Sequence, residues 1–287
     1  MKKKNKHKQG FSVPTWLRLI FRNLERISPY LAMKAAAYVF SKPLKFKVPL
    51  KEQQALKDCI QKMEYIKSID RNVALFTWEN SGGKVLLTHG WSGRGMQLYY
   101  IAECLHKEGY HVVTYDAPAH GKSEGKLTNM IQMIETIAHL DKGENGFDHF
   151  IGHSFGAMAI FNYCKIGSSA KKIVTIGAAD NMRTIFDSFV SSVGLSTKML
   201  KRMTTYFEEK YEVNIDDFSP FVAAQKIQTP TLLIHDEEDY DVHVNCSETI
   251  AKHHPNAKVI KTKGLGHRRI LRDNMVMQHI KSFIQES

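Results

Sequence analysis

The 287-residue chain predicts an α/β fold: a mainly parallel central sheet with helices on both faces, plus a small helical cap. Two observations carry that expectation. Beyond residue 50, short apolar strand-like runs alternate with helical patterns, and such alternation needs crossovers that build a parallel sheet covered on both sides. One strand-to-helix junction is Gly152-His153-Ser154-Phe155-Gly156, and sheets of this class place their sites beyond the carboxyl ends of the strands.

In chain order, Trp16, Leu17, Ile20, Leu24, Ile27 and Leu31 recur at helical spacing, with Arg18, Arg22, Glu25 and Arg26 on another face. This predicts an amphipathic basic helix with a break near Pro29, then a connector through Lys42-Pro43 and Val48-Pro49. Lys84 to Thr88 reads as a strand, Met96 to Lys107 as a helix and His111 to Tyr115 as a strand. A helix at about 128–140, a strand near Phe147 to Ile151, a helix from Phe155 to Tyr163 and a strand at Lys172 to Ile176 follow. Pro230 to His235 and Ala257 to Lys261 are further strands, with helices at Asn245 to His253 and Asp273 to Gln285. Between Ala178 and Pro230 lie about fifty residues in which Ile185, Phe186 and Phe189, then Met199, Leu200, Met203 and Phe207, have helical spacing. Two short helices are expected there, forming a cap insertion at about 180–225 within a domain spanning 51–287.

The formal net charge of +11 is unevenly placed. Residues 1–51 hold thirteen Lys/Arg and one acid, Glu25, so the remaining 236 residues carry 27 basic and 28 acidic side chains, a balance of −1. A near-neutral main domain gives no reason to expect nucleic acid as a partner. Residues 1–50 form a separate basic segment, and two readings stay open for it: a helix on an anionic membrane surface, or a helix packed on the main domain. The start, Met1-Lys2-Lys3-Lys4, is like a signal-peptide n-region, but charges at Arg18, Arg22, Glu25 and Arg26 interrupt any apolar stretch after it. No run of about 18 uncharged apolar residues occurs. Four well-separated cysteines (Cys59, Cys104, Cys164, Cys246) lack the close pairs of zinc sites or redox dithiols and are expected to be reduced. A cytoplasmic place follows as the expectation, with peripheral contact at the inner membrane face left open.

A serine between a strand and a helix, flanked by glycines, sits on a sharp turn that raises its hydroxyl above the sheet, and the following helix N-terminus favours developing negative charge. With this elbow in place, the chain from about 70 to 287 resembles the α/β-hydrolase superfamily, in particular serine esterase- or lipase-like members with a cap. His89-Gly90-Trp91 is similar to the family's oxyanion loop. Asp116-Ala117-Pro118-Ala119-His120-Gly121-Lys122-Ser123 is similar to its Asp-x-Pro-Gly-His-Gly-x-Ser segment, with Ala119 where glycine is usual. His235-Asp236-Glu237-Glu238-Asp239 and Gly266-His267 follow in the family's order.

The resemblance implies a Ser154, Asp239, His267 triad. A serine hydroxyl is a weak nucleophile until an imidazole accepts its proton, so His267 is the expected base and Asp239 its orienting acid. Backbone N–H groups of Trp91 and Phe155 are the expected oxyanion hole. Asp241 and Asp180 are rivals for the acid, and the His253-His254 pair is expected at the surface or in packing. Gly121-Lys122-Ser123 is similar to the end of a P-loop, but Asp116 falls where that motif needs its first glycine. Fourteen histidines form neither H-E-x-x-H nor H-x-H, so neither metal nor cofactor is expected. The implied activity is hydrolysis of a carboxylic ester or thioester through an acyl-serine, with an apolar acyl group as one option, since cap methionines can line an apolar pocket. An acyltransferase with the same triad, and a catalytically silent binding module or membrane-surface protein, remain alternatives.

Overall fold

The computed structural model describes residues 13–286, so the Lys2-Lys3-Lys4 cluster lies outside the described residues. The chain opens with α1 (Thr15–Ile27), α2 (Pro29–Phe40) and α3 (Leu50–Ala55), then β1 (Ile60–Ile66), β2 (Arg71–Trp78) and β3 (Lys84–Thr88). Next come α4 (Tyr99–Lys107), β4 (His111–Tyr115), α5 (Met130–Gly143), β5 (His149–His153), α6 (Phe155–Cys164) and β6 (Lys172–Ile176). The expected cap region holds α7 (Met182–Ser192), α8 (Thr197–Tyr211) and α9 (Pro220–Ala224). The chain then forms β7 (Thr231–Asp236), α10 (Asn245–His253), β8 (Ala257–Thr262), α11 (Gly266–Arg269) and α12 (Asn274–Gln285).

The eight strands form one sheet in the order β1-β2-β4-β3-β5-β6-β7-β8. β1–β2 and β2–β4 pair antiparallel, and every pair from β4 to β8 is parallel. Successive strand residues enter opposite cores: Leu86, Phe150 and Leu233 face one, while Val85, Leu87, Ile151, Leu232 and Ile234 face the other. That period of two, with helices on each side, is what a sheet buried on both faces requires. α6 is buried at all ten positions, which explains why its sequence is apolar around the whole helix. The sheet order reverses around β3, whose neighbours β4 and β5 lie on opposite sides of it. The loops after β3 and β5 therefore meet at a topological switch point, where a crevice forms.

The first helices are built into the molecule. Ser28 Oγ accepts from Leu31 N–H at 3.3 Å and Pro29 occupies the first turn of α2, so the chain breaks and immediately restarts as helix. Ala32, Met33, Ala36 and Ala37 form the buried face of α2, and they share a core with Phe21 of α1 and with Phe186, Val190, Met199, Met203 and Phe207 of α7 and α8. The Glu25 carboxylate accepts from Ser196 N–H at 3.0 Å and from the Ser196 hydroxyl, tying α1 to the start of α8. All four cysteines are free thiols. No described helix is long and apolar enough to cross a membrane.

Candidate active site

Ser154 sits between β5 and α6 with φ +53° and ψ −121°. A side-chain-bearing residue adopts such a conformation only when its surroundings enforce it, at a cost of roughly 1–3 kcal/mol. Here Ser154 N–H donates to Ile176 O at 2.9 Å, and the flanking glycines let neighbouring backbone close in. A Cβ at Gly156 would meet Thr88 O and His89 O at 2.4 Å, and one at Gly152 would meet Ala157 Cα at 2.6 Å.

His267 lies in α11, just beyond β8. Its Nδ1 is 2.6 Å from Asp239 Oδ2, while Asp239 Oδ1 accepts the N–H groups of Asp241 and Val242 at 2.9 Å each. Burial works to raise the Asp239 carboxyl, but hydrogen bonds from His235 and His267, together with the attraction of His267, outweigh it and hold the group well below the usual carboxylate range. On the other side, His153 Nε2–H donates to His267 O at 2.9 Å and the two rings lie 4.6 Å apart. Gly177, at φ +61°, leaves room for the imidazole: a Cβ there would stand 3.2 Å from His267 Nδ1. Ser154 and His267 border one cavity of about 1140 Å³, together with Trp91, Phe155 and, from the cap, Phe186 and Phe189. No hydrogen bond joins the Ser154 and His267 side chains in this conformation; such bonds often tighten only when substrate is present.

The backbone N–H groups of Trp91 and Phe155 donate to no acceptor among the described residues. Their rings pack edge to face at 5.3 Å, fixing the two segments against each other. Behind them, neutral histidines brace the loop after β3. His89 donates from Nδ1 to Gly90 O at 2.7 Å and accepts Ala117 N–H at Nε2 at 2.9 Å. His120 donates to Pro118 O at 3.0 Å and accepts Ser92 N–H at 3.0 Å. Each ring thus needs one bare nitrogen, and burial enforces it by pushing His89 down to about 4 and His120 and His153 to about 3.

A family model described as the alpha/beta hydrolase fold matches residues 84–193, which contain the His89-Gly90-Trp91 loop and the Gly152–Gly156 turn. The chain has the alpha/beta hydrolase fold. Solved structures of the same fold include an esterase from Pyrococcus furiosus, with TM-score 0.63 and 18% identity over 85% of this chain and 96% of that one. An esterase from Exiguobacterium antarcticum has TM-score 0.62 and 16% identity over 79% of this chain and all of its own. A proline iminopeptidase from Mycobacterium smegmatis has TM-score 0.61 and 13% identity over 78% and 97%. Identities this low carry the fold alone, and the differing names illustrate that a fold does not decide the chemistry. No curated protein sequence matches the chain.

Within this α/β-hydrolase frame, the rivals for each role fall in distinct places. Asp241 and Asp180 border the cavity, but neither side chain bonds His267. His254 is buried against Thr231 and His253 bonds Thr249 O, both remote from Ser154 in the contacts they make. Asp116, at the position that spoils the P-loop, accepts the N–H groups of Gly95 and Lys122 at 2.8 and 2.7 Å and so ties two loops together. Ala119 has φ +66°, a left-handed conformation that explains why glycine is usual there.

Two residues escaped sequence reasoning. Asp236, fully buried at the end of β7, accepts from Leu265 N–H, Gly266 N–H, Thr262 Oγ1–H and Glu238 N–H at 2.7–3.0 Å. It joins the loop bearing His267 to the loop bearing Asp239, and its one mark in the sequence is its place at the end of an apolar strand, shared with a run of other acids. Phe40, the last residue of α2, reaches the cavity and lies 4.5, 5.1 and 5.7 Å from the rings of Phe186, Phe189 and Phe207. Nothing local in the sequence marks it.

Proposed function

We propose that the protein is a serine hydrolase that cleaves a carboxylic ester or thioester through an acyl-Ser154 intermediate. The observation that carries this reading is the convergence, around one cavity, of a strained serine, an imidazole held by a buried carboxylate 2.6 Å away, and two amide N–H groups unpaired among the described residues. Ser154 Oγ attacks the acyl carbon as His267 Nε2 takes its proton, and the Trp91 and Phe155 amides receive the charge that gathers on the carbonyl oxygen. His267 then returns the proton to the departing alcohol or thiol. Water repeats the sequence to release the acid, with His267 again the base. Asp239 keeps the Nδ1 proton in place and balances the imidazolium.

The aromatic lining from α2, α7 and α8 supports an apolar acyl group, and solved neighbours named as esterases support ester chemistry in this fold. The test is a fluorophosphonate probe followed by p-nitrophenyl esters and thioesters of increasing chain length. Labelling at Ser154 and turnover, both absent in Ser154→Ala, are expected. A folded wild-type protein that neither labels nor turns over any member of the panel overturns the proposal.

A further inference from the structure

The buried face of α1 is only half of its apolar surface. Phe21 is buried and Leu17 and Leu24 are partly so, yet Trp16 (63% exposed), Ile20 (52%) and Ile27 (82%) form a second strip at helical spacing with Leu19 beside it. Tyr30 and Leu31 extend the exposed apolar surface into the first turn of α2. Arg18, Arg22 and Arg26 occupy the next exposed strip of α1 at i, i+4 and i+8. A purely core-packing helix would not need both strips.

Beside this surface, a groove of about 820 Å³ runs between α2 and α8. Lys34, Lys198, Lys201, Arg202 and Lys210 line it against a single acid, Glu209, and Tyr30 belongs to both the groove and the apolar surface. Lys34 Nζ stands 4.4 Å from the centre of the Tyr206 ring, holding one cation at the groove wall. Cations and exposed large apolar side chains are thus continuous across three helices.

We infer that this face of α1, α2 and α8 docks on an anionic lipid bilayer. A bilayer interface accepts both components together: Trp16, Ile20 and Ile27 enter the boundary between headgroups and acyl chains while the cations meet anionic headgroups. A second copy of the chain is the poorer occupant, because a two-fold contact through this patch sets its arginines and lysines against their own equivalents. A nucleic acid would leave the apolar strip wet. The inference concerns a surface outside the cavity and holds whether or not Ser154 is a nucleophile.

The test uses the full chain and extruded vesicles, either phosphatidylcholine alone or phosphatidylcholine with an equal part of phosphatidylglycerol. Flotation with the anionic vesicles, its loss at high salt and little flotation with the neutral ones are expected. Trp16 emission shifts to the blue on binding, and Trp16→Phe removes the shift while flotation persists. Ile27→Glu abolishes flotation. Because Ile27 is so exposed, that change leaves folding and ester turnover intact. Lys201→Gln with Arg202→Gln weakens binding about 25-fold, roughly fivefold for each cation lost near an anionic surface. Ser154→Ala floats like the wild type, so failure of the hydrolase reading and failure of this one are separable. Absence of flotation, or flotation indifferent to Ile27→Glu and to the cation pair, overturns the inference. So does a concentration-dependent dimer that Ile27→Glu dissolves, which assigns the face to a second copy.

Discussion

The floor and the roof of the cavity are built by different physics. The floor consists of loops after strands β3, β5, β7 and β8, and directed hydrogen bonds between buried groups hold it: Asp236 to the His267 loop, Asp239 to His267, and neutral His89 and His120 beneath the loop after β3. The roof is α2, α7 and α8, where Phe40, Phe186, Phe189 and Phe207 meet as rings. Directed bonds fix positions to fractions of an ångström, as bond-making requires, whereas ring packing fixes volume and tolerates exchange. The difference teaches that substitutions in the floor should change whether a reaction occurs, and substitutions in the roof should change which substrate is taken.

The largest effect tests the floor directly. Ser154→Ala should lower kcat for an activated ester by about 10⁶-fold, with an unchanged circular dichroism spectrum. Asp239→Asn should lower kcat by about 10⁴-fold, since the amide cannot hold His267 in the tautomer that leaves its other nitrogen bare. A milder loss would shift the orienting role to Asp241 or Asp180, which double variants can resolve.

The floor should also be the acid-sensitive half. His89, His120 and His153 are pushed down by burial to between about 3 and 4 in the fold, while an unfolded histidine takes its proton near pH 6.5. The folded state therefore binds fewer protons than the unfolded one below that pH, and stability must fall as the medium is acidified from about 6.5 toward 4. Each such histidine contributes a slope of up to about 1.4 kcal/mol per pH unit. Asp239, held low, adds stability that is present at neutral pH and drains only at more acid values, below the ordinary carboxylate range. Thermal melts between pH 7.5 and 4.5 should show this decline, and a flat Tm across that range would mean that these imidazoles are not kept neutral.

The smallest effect probes the roof. Phe40→Ala should reduce kcat/KM for the best long-chain ester by about tenfold, roughly what an altered apolar pocket contact is worth, while short esters change little. Equal losses across the chain-length series would mean that Phe40 supports the floor, through the Trp91 ring 6.5 Å away, and does not shape the acyl pocket.

How far each half was legible in the sequence follows the same division. The strands and helices from β3 to α6 announce themselves through apolar runs and glycine punctuation, and the elbow motif falls at their junction. β1 and β2 did not stand out: β1 is exposed at five of its seven positions and carries Gln61, Lys62 and Glu64, since an edge strand has little apolar face to display. α2 had no expectation of its own beyond the break near Pro29, although Ser28-Pro29 is a sound helix start. Asp236 was hidden by four other acids in its loop, because composition cannot say which carboxylate turns inward. Phe40 was hidden by distance, because its three nearest ring partners, Phe186, Phe189 and Phe207, lie in helices more than 140 positions later.

That separation has a consequence for the chain as it is synthesised. α2 must wait for α7 and α8, and at 5–20 residues per second the delay is on the order of ten seconds. Throughout that interval the Ala32, Met33, Ala36 and Ala37 face of α2 and Phe21 of α1 lack their partners from α7 and α8. A nascent chain in this state is a hairpin of helices with its sticky side open, attractive to a chaperone or to a lipid surface long before any pocket exists. The roof's three helices are therefore all synthesised before β7 and β8, whose loops complete the floor with Asp239 and His267.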